Sequence, residues 1–276
     1  MVVVKNLRKI FTRNKTQLAK LQKENKSKGI TEKPERDVVA VDRLSFTANN
    51  GEIFGLLGAN GAGKTTSLRC VSTLYKPLEG EIYIDGVDIV KKPEYARANI
   101  AFLTSELKLD KYFTLDYTMT YYGRLKGMSD ADIAKRKEEL CEIFEMKDFL
   151  YKKISELSTG MLQKASLATS LINDPQTIIF DEPTNGLDIV TARRVTDFLI
   201  DQKKKGKTVI ISTHIMSLVE KLCDRVAIIM EGSLAIEGTI AEVLEKTGCK
   251  DLEDAFFKFF DEREAEKKAK KEQEAQ

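Results

Sequence analysis

A glycine-rich stretch that ends in a lysine and two threonines has the residue types needed to hold a phosphate chain. Glycines let backbone N–H groups turn toward an anion, a lysine can reach the β- and γ-phosphates, and a threonine hydroxyl can ligate Mg²⁺. The pattern is G-x-x-x-x-G-K-S/T. It is met within Gly58-Ala59-Asn60-Gly61-Ala62-Gly63-Lys64-Thr65-Thr66. We therefore expect residues 58–66 to bind a nucleoside triphosphate, with Lys64 on the phosphates and Thr65 on the metal.

Two adjacent carboxylates, Asp181 and Glu182, follow the apolar run of residues 177–180. A triphosphate with Mg²⁺ needs a carboxylate near the metal, and its hydrolysis needs a group that positions or deprotonates a water molecule. We assign Asp181 to the metal, directly or through water. The side chain of Glu182, the next residue, is expected to point in a different direction from that of Asp181. We expect it to act as general base on the attacking water.

The only histidine of the chain, His214, follows a third apolar run at residues 208–212. A histidine at a strand end can hydrogen-bond the γ-phosphate or the attacking water, although a single histidine is more often structural. Because this one would follow a central strand beside the other two elements, we place it in the same site.

These groups need strands that end at one edge of a sheet. The phosphate loop follows the short apolar run of residues 53–57 and precedes a helix-compatible segment. Residues 177–181, 208–212 and 225–229 are β-branched runs without polar alternation, which is typical of parallel strands covered on both faces. Ligands of open α/β sheets bind at the carboxyl ends of their strands. The pattern predicts an α/β fold with a phosphate-loop NTPase core.

Other segments differ in character from this core. Residues 2–11 and 38–46 predict strands, and between them residues 12–37 carry eight Lys or Arg against four Asp or Glu. We expect this charged insertion to be an exposed excursion; contact with an anionic membrane surface is the alternative to simple solvation. Helical periodicity dominates from about 115 to 174, which predicts a helical subdomain. Residues 261–276 are nearly all charged and predict a frayed or extended helical tail.

The composition is that of an ordinary globular protein, with 42% hydrophobic and 32% charged residues. A net charge of +2 gives no reason to expect nucleic-acid binding. The four cysteines form no C-x-x-C pair and indicate reduced thiols, not a metal site. No apolar run approaches the roughly 20 residues that a membrane-spanning helix requires.

Together these motifs resemble those of the ATP-binding subunits of ATP-binding-cassette (ABC) transporters. The segment Leu157-Ser158-Thr159-Gly160-Met161 resembles the family signature Leu-Ser-Gly-Gly-Gln. The segment Asn185-Gly186-Leu187-Asp188 resembles the family's D-loop, and Phe11 stands where the family has an aromatic residue that stacks on adenine. His214 matches the switch histidine. The resemblance covers residues 1–260 as a single domain, apart from the insertion at 12–37.

The resemblance implies an ATPase that uses ATP and Mg²⁺, with an N-terminal antiparallel β subdomain and an inserted α-helical subdomain. It implies a head-to-tail homodimer or heterodimer, in which Ser158, Thr159 and Gly160 of one subunit cap the ATP held by residues 58–66 of the other. Asp188 would then lie at the dimer interface. It also implies a separate multi-spanning permease and a cytoplasmic location, peripheral on the inner face of the membrane.

Two departures from the family pattern concern the site. Thr159 and Met161 replace the usual Gly and Gln of the signature. Where the family has a strand followed by Gln, this chain has Ser105. We expect either Ser105 or Glu106 to replace that Gln beside the metal and the permease. The amino-acid sequences of residues 102–105, 122–125 and 158–161 are similar to those of the sodium-extrusion (NatA-like) branch.

The leading hypothesis is that two copies close on two ATP molecules and pull on a membrane permease through residues 104–124. An alternative is a soluble ABC-type ATPase that acts on ribosomes or DNA. Such proteins generally carry two cassettes or a long coiled-coil insertion, and only the basic residues 12–37 favour this alternative. A phosphate-loop kinase would not explain the signature at residues 157–161. The transported substrate is expected to be selected mainly by the membrane subunit.

Overall fold

The computed structural model describes residues 1–27, 33–104 and 108–274. The strands are β1 (Val2–Thr12), β2 (Asp37–Ala48), β3 (Ile53–Leu57), β4 (Glu79–Ile84), β5 (Val87–Asp88), β6 (Ile100–Leu103), β7 (Thr177–Asp181), β8 (Thr208–Thr213), β9 (Arg225–Met230) and β10 (Ser233–Thr239). The α-helices are α1 (Lys15–Ser27), α2 (Lys64–Val71), α3 (Pro93–Asn99), α4 (Leu115–Leu125), α5 (Asp130–Ile143), α6 (Thr159–Ser170), α7 (Ile189–Lys204), α8 (Met216–Leu222), α9 (Ile240–Thr247) and α10 (Leu252–Glu274). Short 3-10 turns lie at Lys147–Phe149 and Ile154–Glu156.

The central sheet has six strands in the order β10-β9-β3-β8-β7-β6. All neighbours pair in parallel except β10, which runs antiparallel to β9. Every residue of β3, β7 and β8 is buried, because both faces of the sheet are covered by other elements. Side chains alternate between the two faces, so that Ile53 and Leu57 join one apolar cluster while Phe54 and Leu56 join the other. The predicted α/β core is confirmed.

The register of the central strands brings the predicted site residues to one edge. Leu57 pairs with Thr213, and Asp181 pairs with Ser212. The phosphate loop, the two carboxylates and the histidine each follow directly from one of these three strand ends. Three segments that are distant in sequence therefore leave the sheet side by side.

A second sheet of four antiparallel strands, in the order β2-β1-β4-β5, forms the N-terminal subdomain. β4 and β5 are joined by a tight turn at Asp85 and Gly86, both with positive φ. The charged insertion joins β1 to β2 and carries α1, in which none of residues 15–27 is buried. The described part of the insertion is thus an exposed, largely helical excursion.

The predicted helical subdomain consists of α4, α5 and α6 with the two 3-10 turns between them. It does not have a separate core, since Leu140 and Phe144 belong to the same apolar cluster as Ile178 and Leu199 of the central body. A polar contact adds to this attachment. Asp174, between α6 and β7, accepts from Arg136 of α5 at 2.8 Å and from Lys207, just before β8, at 2.5 Å.

The C-terminal helix α10 runs without interruption from Leu252 into the charged segment that begins at Asp261. Its first turns are anchored, because Leu252, Ala255 and Phe256 are buried in the central cluster. Further along, Lys267 forms a close ion pair with Glu231 in the turn between β9 and β10. Within the described residues, no helix combines the length and apolar character needed to cross a membrane.

Candidate active site

The phosphate loop is fixed in place by its glycines. Gly63 has φ +102° and occupies the N-cap of α2. A Cβ atom at Gly63 would lie 2.5 Å from the carbonyl oxygen of Ala40, and one at Gly58 would lie 2.5 Å from that of Ile229. Only residues without a side chain fit so close to the backbones of β2 and β9. Both sheets therefore define the position of the loop.

This loop and the two carboxylates line one cleft of about 240 Å³. The lining residues are Ala40, Ala59, Asn60, Gly61, Ala62, Gly63, Lys64, Thr65, Thr66, Arg69, Thr104, Asp181 and Glu182. The structure thus brings together residues 59–66 of the phosphate loop, the predicted metal ligands Thr65 and Asp181, and the predicted general base Glu182. A chain of anionic groups can lie along the backbone N–H groups at the start of α2.

Lys64 is buried at the base of this cleft, where its ammonium group donates to the carbonyl oxygens of Gly58 at 2.7 Å and Ala59 at 3.1 Å. Burial lowers the pKa of Lys64, and the negative charges of Glu182 and Asp181 oppose that shift. An anionic ligand would add further negative charge beside this ammonium group. The site is therefore suited to a highly charged phosphate chain.

Asp181 ends β7 and is buried, with Oδ1 in a close hydrogen bond from the hydroxyl of Ser212. The second carboxylate oxygen has no such partner on β8, and the hydroxyl of Thr65 lines the same cleft. These are the hard oxygen donors that Mg²⁺ prefers. Sequence reasoning missed the contribution of Ser212, for which the only signal was a polar residue at the end of an apolar run.

Glu182 is held by three contacts from β8 and the residue after it. Its backbone N–H donates to the Ser212 carbonyl at 2.9 Å, the Thr213 hydroxyl donates to Oε2 at 3.1 Å, and Nδ1 of His214 lies 2.8 Å from Oε1. Glu182 has φ +56°, a left-handed conformation that is strained for a residue with a side chain. The strained backbone and these contacts aim the carboxylate along the edge of the cleft.

The signature residues occupy a different surface. Ser158 is the N-cap of α6, and its hydroxyl accepts from the N–H of Met161 at 3.3 Å. Ser158 and Thr159 are exposed, and Gly160 is partly so. None of the three is among the described residues that line the phosphate cleft. Thr159 instead borders a neighbouring cavity of about 180 Å³, which shares Thr104, Asp181 and Glu182 with the phosphate cleft.

Asp188 is exposed and caps α7, where its Oδ1 accepts from the N–H groups of Val190 and Thr191 at 3.0 Å each. These hydrogen bonds lower the pKa of Asp188. The segment before it is joined to the signature helix, since the side-chain amide of Gln163 donates to the carbonyl of Asn185 at 3.1 Å. Sequence reasoning did not identify Gln163.

Phe11 lies beside the cleft, not among its described lining residues. Its ring meets Tyr75 edge-on at a centroid distance of 5.3 Å, and the guanidinium of Arg69, a cleft residue, donates to the Tyr75 hydroxyl at 3.1 Å. Its role in stacking on adenine stays a prediction. Ser105 and Glu106 lie outside the described residues, although Thr104 before them borders the cleft.

Comparison with known proteins places this arrangement in a family. A family model described as ABC transporter matches residues 41–185. The ABC transporter ATP-binding protein NatA of Bacillus subtilis is 39% identical over 216 residues, which cover 78% of this chain and 88% of NatA. The chain belongs to the ABC transporter ATP-binding family. It is therefore the ATP-binding subunit of an ABC transporter and an ATPase, and subunits of this family dimerise and work with membrane permeases.

Other relatives agree with this assignment. Nod factor export ATP-binding protein I of Neorhizobium galegae is 36% identical over 79% of this chain and 63% of its own length. A solved structure of the ATP-binding subunit of an ABC transporter has a TM-score of 0.79 at 25% identity, covering 94% of this chain and 98% of its own. A dimeric ATP-binding cassette in a post-hydrolysis state, bound to ADP and Pi, has a TM-score of 0.73 at 25% identity and covers 87% of this chain and 98% of its own.

Proposed function

We propose that two ATP-binding subunits of this kind close on ATP and Mg²⁺ and thereby drive a separate membrane permease in export, from the inner face of the membrane. The observation that supports a dimer is that the residues predicted to contact ATP form two separate groups on one chain. Residues 59–66, Asp181 and Glu182 line one cleft and His214 contacts Glu182, whereas Ser158–Gly160 and Asp188 are not among the described residues that line that cleft. A second copy can supply them from outside the cleft.

Within this proposal, Thr65 and Asp181 hold Mg²⁺, and Ser105 is a further candidate ligand. The metal supplies charge neutralisation of the phosphates. Lys64 and the loop N–H groups bind and orient the phosphate chain. Oε1 or Oε2 of Glu182 accepts the proton of the attacking water, while His214 and Thr213 hold that carboxylate in place. Phe11 positions adenine at the outer end of the cleft.

Support for the permease contact comes from an apolar groove of about 690 Å³ between the central body and the helical subdomain. Thr104, Leu109, Tyr122 and Leu125 line it, so that the segment we expect to face the permease forms one wall. Export is supported by the Nod factor export relative. Sodium as the substrate is supported by the similarity of residues 102–105, 122–125 and 158–161 to the sodium-extrusion branch.

The test is to purify the tagged subunit from detergent-solubilised membranes and identify the multi-spanning protein that accompanies it. Leu125→Glu should remove that protein, while Leu78→Glu, an equally drastic change at an exposed leucine outside the groove, should not. Vesicles with the reconstituted pair should then move Na⁺ in an ATP-dependent manner. Recovery with ribosomes or DNA and no membrane protein would contradict the proposal.

A further inference from the structure

One end of the helical subdomain is built from two paired segments that lie outside the ATP site. The N–H of Asp116 donates to the carbonyl of Leu150 at 2.8 Å, and the N–H of Ile154 donates to the carbonyl of Phe113 at 2.9 Å. Residues 111–116 and 150–155 therefore form one rigid edge that continues into α4. Between these bonds Leu115 is buried, whereas Tyr151, Lys152 and Lys153 are exposed.

Five aromatic rings are displayed on this edge and along α4. Tyr112 is 85% exposed and Tyr151 is 76% exposed, which is far beyond what packing in a core would leave. The rings of Phe113, Tyr117 and Tyr121 follow one another at the spacing of one helical turn, with centroids 4.6 Å and 6.4 Å apart. Contiguous exposed apolar surface of this kind marks an interaction site.

Four exposed lysines stand close to these rings in the chain: Lys108, Lys111, Lys152 and Lys153. None of them pairs with a carboxylate in the part of the chain that the structure describes, whereas Lys137 and Lys147 of the same subdomain do. Two acidic residues stand among them: Asp110 accepts from the backbone N–H of Tyr112 at 3.0 Å, and Glu156 accepts from that of Lys153 at 3.0 Å. We call these five rings and four lysines the aromatic–lysine surface.

This combination matches the chemistry of a membrane surface that contains anionic lipid. Tyrosine has an apolar ring and a polar tip, which suit the boundary between headgroups and acyl chains. Unpaired ammonium groups are attracted by the negative surface potential of anionic leaflets. The other basic segment that could bind a membrane is α1, which carries Lys20 and Lys23. It has no aromatic residue, and its Leu18 and Leu21 are already half-buried.

We propose that the aromatic–lysine surface binds anionic lipid headgroups directly, so that the subunit contacts the membrane independently of its permease. Part of this surface, residues 108–121, belongs to the segment expected to face the permease. The proposal goes beyond that coupling by adding a direct lipid contact, which is tested at Tyr151, Lys152 and Lys153 outside that segment. Lipid contact would hold the helical subdomain against the membrane at a second point. The contact involves no residue of the phosphate cleft.

The experiment measures co-flotation of the purified full-length subunit with phosphatidylcholine vesicles, with and without phosphatidylglycerol. The wild-type chain should float only with the anionic vesicles, and added salt should weaken the binding. The double variant Lys152→Glu/Lys153→Glu should bind at least about tenfold more weakly, because each lysine near a membrane surface contributes appreciably. Tyr151→Ser should weaken binding with little change in its salt dependence.

The matched control is Lys20→Glu/Lys23→Glu in α1, which makes the same change of charge. It should bind vesicles like the wild type, and all variants should retain the ATPase rate of the isolated subunit. Absence of binding to anionic vesicles would overturn the proposal. So would an equal loss in the α1 control, or binding only when a permease is present in the vesicles. None of these results would bear on ATP hydrolysis or on co-purification with the permease.

Discussion

Oε1 of Glu182 lies 2.8 Å from Nδ1 of His214, although the two residues stand 32 positions apart in the chain. Each follows the end of a central strand, and β7 and β8 are direct neighbours. The positive φ of Glu182 turns its side chain toward that neighbour. A strained backbone persists only where its surroundings over-determine it, and it is concentrated at functional sites.

Replacing the carboxylate of Glu182 by an amide should separate binding from hydrolysis. Glu182→Gln keeps the shape of the side chain but removes the proton acceptor, so the ATPase kcat should fall at least about a hundredfold. Affinity for ATP should change little, because the phosphate loop is untouched. Steady-state turnover and equilibrium ATP binding check this, and an unchanged kcat would refute the assignment of Glu182 as general base.

Removal of the His214 ring should affect hydrolysis through the position of Glu182. In His214→Ala the carboxylate keeps only the hydroxyl of Thr213, and we expect kcat to fall about tenfold or more with little change in ATP affinity. Thr213→Val, which removes the other side-chain contact, is the companion variant and should have a smaller effect. A His214→Ala enzyme with wild-type kcat would show that the 2.8 Å contact is only structural.

Two glycines of the phosphate loop offer a matched test of backbone contact. Gly63→Ala places a Cβ atom 2.5 Å from the Ala40 carbonyl at φ +102°, whereas at Gly61, with φ +83°, a Cβ meets nothing within 4 Å. Gly61→Ala should lower the free energy of unfolding by about 1 kcal/mol from its φ alone. Gly63→Ala should lower it by about 2 kcal/mol or more and abolish ATP binding. Urea denaturation measures the free energy of unfolding of both variants. Equal losses of stability would contradict the predicted clash at Gly63.

The ion pairs of Asp174 predict a dependence of stability on pH. Burial raises the pKa of this carboxyl, but Lys207 and Arg136 outweigh that effect and leave the pKa below its ordinary value. A carboxyl with a lowered pKa contributes stability above its unfolded pKa of about 4 and loses the contribution as pH falls further.

Asp174→Asn should therefore lower the free energy of unfolding by about 1 kcal/mol at pH 7. The value is modest because the side chain of Asp174 is 56% exposed, although that of its partner Lys207 is only 7% exposed. The difference from the wild type should shrink as pH falls from about 4 toward 2. Denaturant titrations at several pH values measure it. A difference that stays constant over that range would show that the charge of Asp174 does not stabilise the fold.

The sequence predicted the central strands and the phosphate loop because uninterrupted apolar runs and a glycine–lysine pattern are local signals. It did not reveal how Ser212 and Thr213 hold the two carboxylates, since polar residues at a strand end look alike until the strand order is known. The left-handed φ of Glu182 was also invisible, because tertiary contacts impose it against local preference. Likewise, charge composition indicated a helical tail from residue 261 but not that the same helix begins at Leu252, where apolar residues anchor it to the core.

The position of Asp174 has a mechanical consequence. It ties α5 to the central body close to the carboxyl end of α6, while Ser158 caps the opposite end of that helix. A helix of this length extends about 18 Å, so a rotation of about 10° about Asp174 would carry Ser158 by roughly 3 Å. Because Asp174 lies close to one end of α6, a tilt of the helical subdomain about that point would displace the signature residues at the other end more than any other part of the helix.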